Sequence, residues 1–106
     1  MAAKQDDTYA VVWPRSRKFN ARTEPARRLP TLEGKVVAEL WDYAFQGELS
    51  YPIIEEELTR RYPGVKFIGP DTFGNIHGGD EHEVIANLPE KLHDLGVDAV
   101  ISGIGA

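Results

Sequence analysis

The chain has 106 residues, of which 42% are hydrophobic and 27% charged, a composition that fits one globular domain and is too apolar for a disordered chain. It contains no cysteine, which excludes disulfides, thiolate metal sites and thiol catalysis by its own residues. No apolar run is long enough to span a membrane, and the N-terminus lacks the apolar core of a signal peptide. We therefore expect a cytoplasmic protein with no membrane partner.

Charge is distributed unevenly along the chain. The net charge is −5, but residues 1–30 carry seven Lys or Arg against three Asp or Glu. With three prolines and no sustained hydrophobic period, residues 1–34 predict an extended basic arm, with one short strand at 8–13. A basic arm can contact phosphates, but this one precedes an acidic body. We expect it to pack on that body or on a second subunit, as in a homo-oligomer, and we expect no nucleic-acid partner.

Residues 35–106 predict an α/β domain in which three strands alternate with two helices. Short runs rich in β-branched and apolar residues at 36–41, 65–69 and 97–103 predict the strands. Strands that alternate with helices through short connections favour parallel pairing. The predicted fold is a βαβαβ parallel-sheet unit of the flavodoxin-like or Rossmann-like kind, with its C-terminal end truncated.

Helical spacing of apolar residues predicts the two helices. The first starts at Ser50, a plausible cap, with Pro52 in its first turn, and it stops at Pro63. The second runs from Asp80 to Leu95, and Pro89 is expected to break or restart it. The acidic run at 55–57 is interpreted as a solvated helix face.

Ligands of open parallel sheets bind at the carboxyl ends of the strands, where three loops meet: 42–49, 70–79 and the segment after Ile101. In the first loop, aromatic residues surround a carboxylate that would orient a small ligand, whereas Trp41 and Phe45 are assigned to the core. The candidate site residues for a small-molecule ligand are Asp42, Tyr43, His77, Ser102, Gly103 and Gly105.

The loop at 71–83 leaves three further hypotheses open. Two histidines and four carboxylates suggest a metal site, although their spacing matches no known metal motif. Its glycines would let a phosphate approach the backbone, but they match neither dinucleotide nor P-loop fingerprints. Ser102 and His77 would make a nucleophile pair only if the fold brings them together. We therefore expect no catalytic residue, no metal and no cofactor in this chain.

The last residues of the chain, Asp98-Ala-Val-Ile-Ser-Gly-Ile-Gly-Ala106, resemble the segment that precedes the signature of the UGSC-motif family. In that family a comparable strand leads into selenocysteine or cysteine, followed by Gly-Ser-Cys. Two further elements support the resemblance, which covers about residues 26–106: the segment Arg27-Arg28-Leu29 with Leu32-Glu33-Gly34-Lys35 before the first core strand, and the strand–helix order after it.

The resemblance implies the N-terminal portion of a selenol- or thiol-dependent oxidoreductase. Selenocysteine is encoded by a codon normally read as stop, so a reading that ignores recoding would end at Ala106. None of the implied reactivity transfers to this chain, because no residue in it matches the selenocysteine or either cysteine. The alternative hypothesis is a complete small α/β ligand-binding or regulatory module without catalysis.

Overall fold

The computed structural model describes residues 8–12, 14 and 21–105. Three strands form one sheet: β1 (Val36–Trp41), β2 (Lys66–Ile68) and β3 (Ala99–Gly103). The strand order is β2-β1-β3, and both pairings are parallel. The predicted parallel α/β unit is therefore confirmed, with β2 and β3 somewhat shorter than their apolar runs.

Strand β1 lies at the centre of the sheet, and its two faces pack against different helices. Helix α1 (Gly47–Arg61) lies against the face of Glu39 and Trp41, where a Cβ on Gly47 would come within 2.6 Å of the Trp41 ring. Helix α2 (Glu81–Asp94) lies against the opposite face, where its leucines pack on Ala38 and Leu40. The sheet is thus covered on both faces, as buried parallel sheets require.

Hydrogen bonds join the N-terminal ends of the three strands, at the edge of the sheet opposite the loops at 42–49 and 70–79. The backbone N–H of Val36 donates to Asp98 Oδ2 at 2.9 Å, and the Asp98 N–H donates to the Val36 carbonyl at 2.8 Å. Across β2, the Lys66 N–H donates to the Lys35 carbonyl at 2.9 Å. These bonds set the register in which the three strands run side by side toward the candidate site.

Both helices differ from the sequence-based expectations at a proline. Helix α1 begins at Gly47, so Ser50 is not its cap and Pro52 lies inside it. Helix α2 continues through Pro89 without a break. A proline within a helix leaves the carbonyl four residues earlier without its donor. Pro89 and Ile85 are both exposed, so water can hydrate that carbonyl and the helix continues.

The described residues of the N-terminal arm are exposed up to Pro30. Residues 8–12 form no strand, and Tyr9, Val11 and Val12 are almost fully exposed, so no packed face favours extended pairing there. Trp13, the last residue of the strand expected at 8–13, lies outside the described residues, as do all four basic residues before position 21. Among the described residues, no helix is long and apolar enough to cross a membrane.

Candidate functional site

The first feature of the site is the buried carboxylate of Asp42, which joins two of the three loops. Asp42 is 4% exposed and directly follows β1. Its Oδ1 accepts the backbone N–H of Ala44 at 2.9 Å, and its Oδ2 accepts the N–H of Gly105 at 2.8 Å. The Asp42 N–H in turn donates to the Gly103 carbonyl at 3.3 Å. One side chain therefore fixes both its own turn and the segment that leaves β3.

The loop after β2 reaches the same edge of the sheet. The Ile76 N–H donates to the Trp41 carbonyl at 3.3 Å, which extends the sheet by one isolated bridge between Trp41 and Asn75. The Tyr43 hydroxyl donates to Asp71 Oδ1 at 3.4 Å. The three loops that the sequence predicts to form the site are thus brought together.

Tyr43 is a partly exposed residue of the first loop and has a strained backbone conformation. Its φ is 60°, in the left-handed region that costs energy for a residue with a side chain. Its ring stacks on Trp41 with 4.1 Å between centroids, and it remains 44% exposed. Partial burial, and then the neighbouring Asp71 charge, raise the pKa of its hydroxyl. Tyr43 therefore presents a neutral phenol at the mouth of the site.

Ser102 and Gly103 are consecutive residues of β3, so they lie on opposite faces of the sheet. Gly103 is packed beneath aromatic rings, since a Cβ there would come within 2.5 Å of both Phe45 Cζ and Tyr51 Oη. Ser102 pairs with Leu40 and is exposed on the face of α2. The absence of a side chain at Gly103 therefore lets these aromatic rings pack on the strand.

His77 lies in the expected loop, but its imidazole points outward. The side chain is 79% exposed, and Nδ1 lies 3.2 Å from Glu81 Oε2, one helical turn further along the chain. The structure pairs His77 with Glu81 and not with Ser102, so the nucleophile hypothesis gains no support. No group of three or more His, Asp or Glu side chains suited to a metal ion occurs among the residues described.

Sequence reasoning missed Glu39, which together with Val37 is one of the two largest fully buried side chains in the described part of the chain. It lies in the middle of β1 and lines a pocket of about 230 Å³ between β1, α1 and the end of β2. Neither Glu39 carboxylate oxygen, nor Trp41 Nε1, has a hydrogen-bond partner among the described residues. An unpaired buried carboxylate is costly, so this site needs a physical explanation.

The protonation of Glu39 responds to this environment. Burial, and then the neighbouring Glu55 carboxyl, raise its pKa to about 8. Two charged carboxylates close together in a buried site repel each other, so one of them is favoured to bind a proton. Burial and the nearby Glu39 charge also raise the pKa of Tyr51, whose hydroxyl donates to the Leu40 carbonyl at 2.6 Å.

The interpretation of residues 55–57 as a solvated face is wrong for Glu55. Glu56 is exposed, and Glu57 pairs with Arg60 and Arg61, but Glu55 is half-buried and lines the pocket. The sequence does contain a signal: a Glu in the centre of a strand expected to be covered on both faces. Such a residue requires a partner, and the helix that packs on that face is where to look for it.

Comparison of the chain with protein-family models, with curated proteins and with solved structures finds no match. The chemistry of the site is therefore inferred from its geometry. That geometry offers a carboxylate that holds two backbone turns, and beside it an acidic pocket with aromatic walls. Among the described residues, this geometry is suited to binding and orienting a ligand, and neither feature places a nucleophile next to a base.

Proposed function

We propose that this chain forms the N-terminal portion of a selenol- or thiol-dependent oxidoreductase of the UGSC-motif kind, and that it supplies the binding cleft but not the reactive atom. The observation that carries the proposal is the pair of hydrogen bonds that Asp42 accepts from Ala44 and Gly105. The bond from Ala44 fixes the turn that contains Asp42, and the bond from Gly105 holds the segment after β3 at the carboxyl edge of the sheet. A selenocysteine or cysteine that follows Ala106 would begin at this edge.

The topology supports the same location. The chain crosses from β1 to β2 over one face of the sheet, and then from β2 to β3 over the other. The direction of winding therefore reverses between β1 and β3, which is where doubly wound sheets bind ligands. We infer a flavodoxin-like order for the complete sheet, with the Asp42 loop and the segment after β3 as the two walls of the crevice.

The reactivity that we propose also has a physical basis. A selenolate or thiolate that follows a strand and enters a helix N-terminus is stabilised by free backbone N–H groups and by the helix dipole. Asp42 acts as a positioning residue, because its carboxylate holds the backbone and not the substrate. Tyr43, at the mouth, is available to contact a small ligand.

Alkylation of the full-length product tests the proposal. Iodoacetamide at pH 6 should label the residue after Ala106 within minutes, whereas an ordinary thiol, with a pKa of about 8.5, should react far more slowly. A variant with serine at that position is the matched control. Labelling that rises only as the pH approaches the pKa of an ordinary thiol would contradict the proposal. The absence of any labelling would contradict it as well.

The alternative function, a ligand-binding module without catalysis, is favoured by one observation: ten of the described residues already line the Glu39 pocket. The two functions differ in what the 106-residue chain does. Under both, it binds a small molecule; under the oxidoreductase proposal, activity toward a disulfide or peroxide appears only when the following segment is present. The purified chain should therefore show no turnover of either substrate.

A further inference from the structure

We propose that the pocket between β1 and α1 binds a small organic cation, with its ammonium group between the carboxyls of Glu39 and Glu55. This inference does not depend on the oxidoreductase proposal. It concerns a pocket on the α1 face of the sheet, whereas the segment after β3 is held at the edge by Asp42.

The first argument is the state of the buried groups. Glu39 is fully buried, it lines the pocket, and neither of its oxygens meets a hydrogen-bond donor in the described part of the chain. Buried carboxyls are normally paired or protonated, because an uncompensated charge costs several kcal/mol. An ammonium group supplies three donors and a positive charge, so that both carboxyls can be ionised when it is bound.

The second argument is the charge of the pocket wall. Of the described residues that line the pocket, four are acids and none is Lys or Arg; the acids are Glu39, Glu48, Glu55 and Asp71. A wall of one sign attracts ligands of the opposite sign. Anionic ligands such as phosphates are therefore disfavoured here.

The third argument separates an organic cation from a metal ion. The other walls are apolar or aromatic, formed by Trp41, Tyr51, Pro52 and Pro70. Among the described residues, no group of three metal-ligating side chains comes together. A pocket with two adjacent carboxyls and apolar walls suits an alkyl chain that ends in an amine. Its volume of about 230 Å³ limits that ligand to a few carbon atoms.

NMR titration of the protein with n-butylamine tests the inference, with n-butanol as the neutral probe of the same shape. The indole N–H of Trp41, assigned with a Trp13→Phe variant, reports on the pocket directly. We expect saturable shifts of this signal with butylammonium at millimolar concentration and much smaller shifts with butanol. Equal shifts with both probes, or no saturation with butylammonium at tens of millimolar, would overturn the inference.

Variants identify the carboxyls responsible. Glu39→Gln keeps the shape of the side chain and should weaken butylammonium binding by about tenfold or more, since it removes one charge of a buried pair. Glu55→Gln should weaken butylammonium binding several-fold. This variant tests the inference if Glu39→Gln folds poorly. Glu56→Gln, on the exposed side of the same helix, is the matched control. Wild-type affinity in both pocket variants would refute the inference.

Discussion

The buried carboxyl of Glu39 should make the stability of the fold depend on pH. Its pKa is raised in the folded chain to about 8 from an ordinary value of 4.5, so the folded state holds the proton more tightly. Stability should therefore be highest below the unfolded pKa, fall as pH rises between the two values, and reach its minimum above the folded pKa. We expect a loss on the order of 5 kcal/mol across this range.

Chemical denaturation of Glu39→Gln at pH 5 and pH 9 checks this expectation. The variant should lose most of the pH dependence and should be more stable than the wild type at the higher pH. Glu56→Gln should keep the wild-type profile, because Glu56 is exposed. If Glu39→Gln retained the full dependence, its carboxyl would not be the buried group that titrates.

Asp42 contributes through two hydrogen bonds to backbone N–H groups, and its replacement by Asn should break one of them. An amide side chain presents only one oxygen acceptor, and its NH₂ would face an N–H donor. We expect Asp42→Asn to cost about 1 to 3 kcal/mol and to accelerate hydrogen exchange at Gly105. Asp94→Asn, on the exposed end of α2, is the control. Unchanged exchange at Gly105 would show that Asp42 does not hold this segment.

At the level of secondary-structure elements, the sequence predicts the direction of the strands and the bounds of α2 well, and the start of α1 poorly. Apolar runs at 36–41, 65–69 and 97–103 identify β1, β2 and β3, because a strand covered on both faces needs nearly continuous hydrophobicity. Pro52 and Pro89 do not mark the start or a break of a helix. Propensity treats an interior proline as a breaker, whereas tertiary packing and hydration of one freed carbonyl decide each case.

In the candidate site, backbone positions could be predicted from the sequence and side-chain directions could not. Strand order places Asp42, Tyr43 and the segment after β3 at one edge, as expected from the rule for parallel sheets. Side-chain direction is not encoded in such a rule, so the outward turn of His77 toward Glu81 could not be foreseen. The contact between Glu39 and Glu55 depends on which face of α1 meets the sheet. An acidic run alone does not reveal it.

Packing between β3 and α1 depends on the absence of a side chain at Gly103. A Cβ at this position would lie 2.5 Å from Phe45 and Tyr51, which requires the aromatic rings or the strand to move. Gly103→Ala should therefore destabilise the domain by about 1 to 3 kcal/mol, measured by urea denaturation. At Gly79 a Cβ would meet nothing within 4 Å, so Gly79→Ala is the matched control. Equal stability of the two variants would mean that the close approach at Gly103 is easily relieved.

For the whole molecule, the sheet leaves apolar surface uncovered beside β3. Val100 is 43% exposed and Ile104 is 74% exposed, and Ile85 and Leu95 of the α2 region are also exposed. An edge strand with exposed apolar side chains favours association with another chain. We expect the 106-residue chain to self-associate in light scattering, and a Val100→Lys, Ile104→Lys variant to shift toward monomer. A monodisperse wild-type monomer with a cooperative melt would count against a missing element at this edge.

The most direct test of the central claim is the nucleotide sequence that follows codon 106. The proposal that Asp42 holds the approach to a reactive chalcogen predicts a UGA or a cysteine codon next, followed in frame by codons for Gly-Ser-Cys. A different stop codon, or unrelated sequence after codon 106, would contradict it and leave the ligand-binding module as the function of this chain.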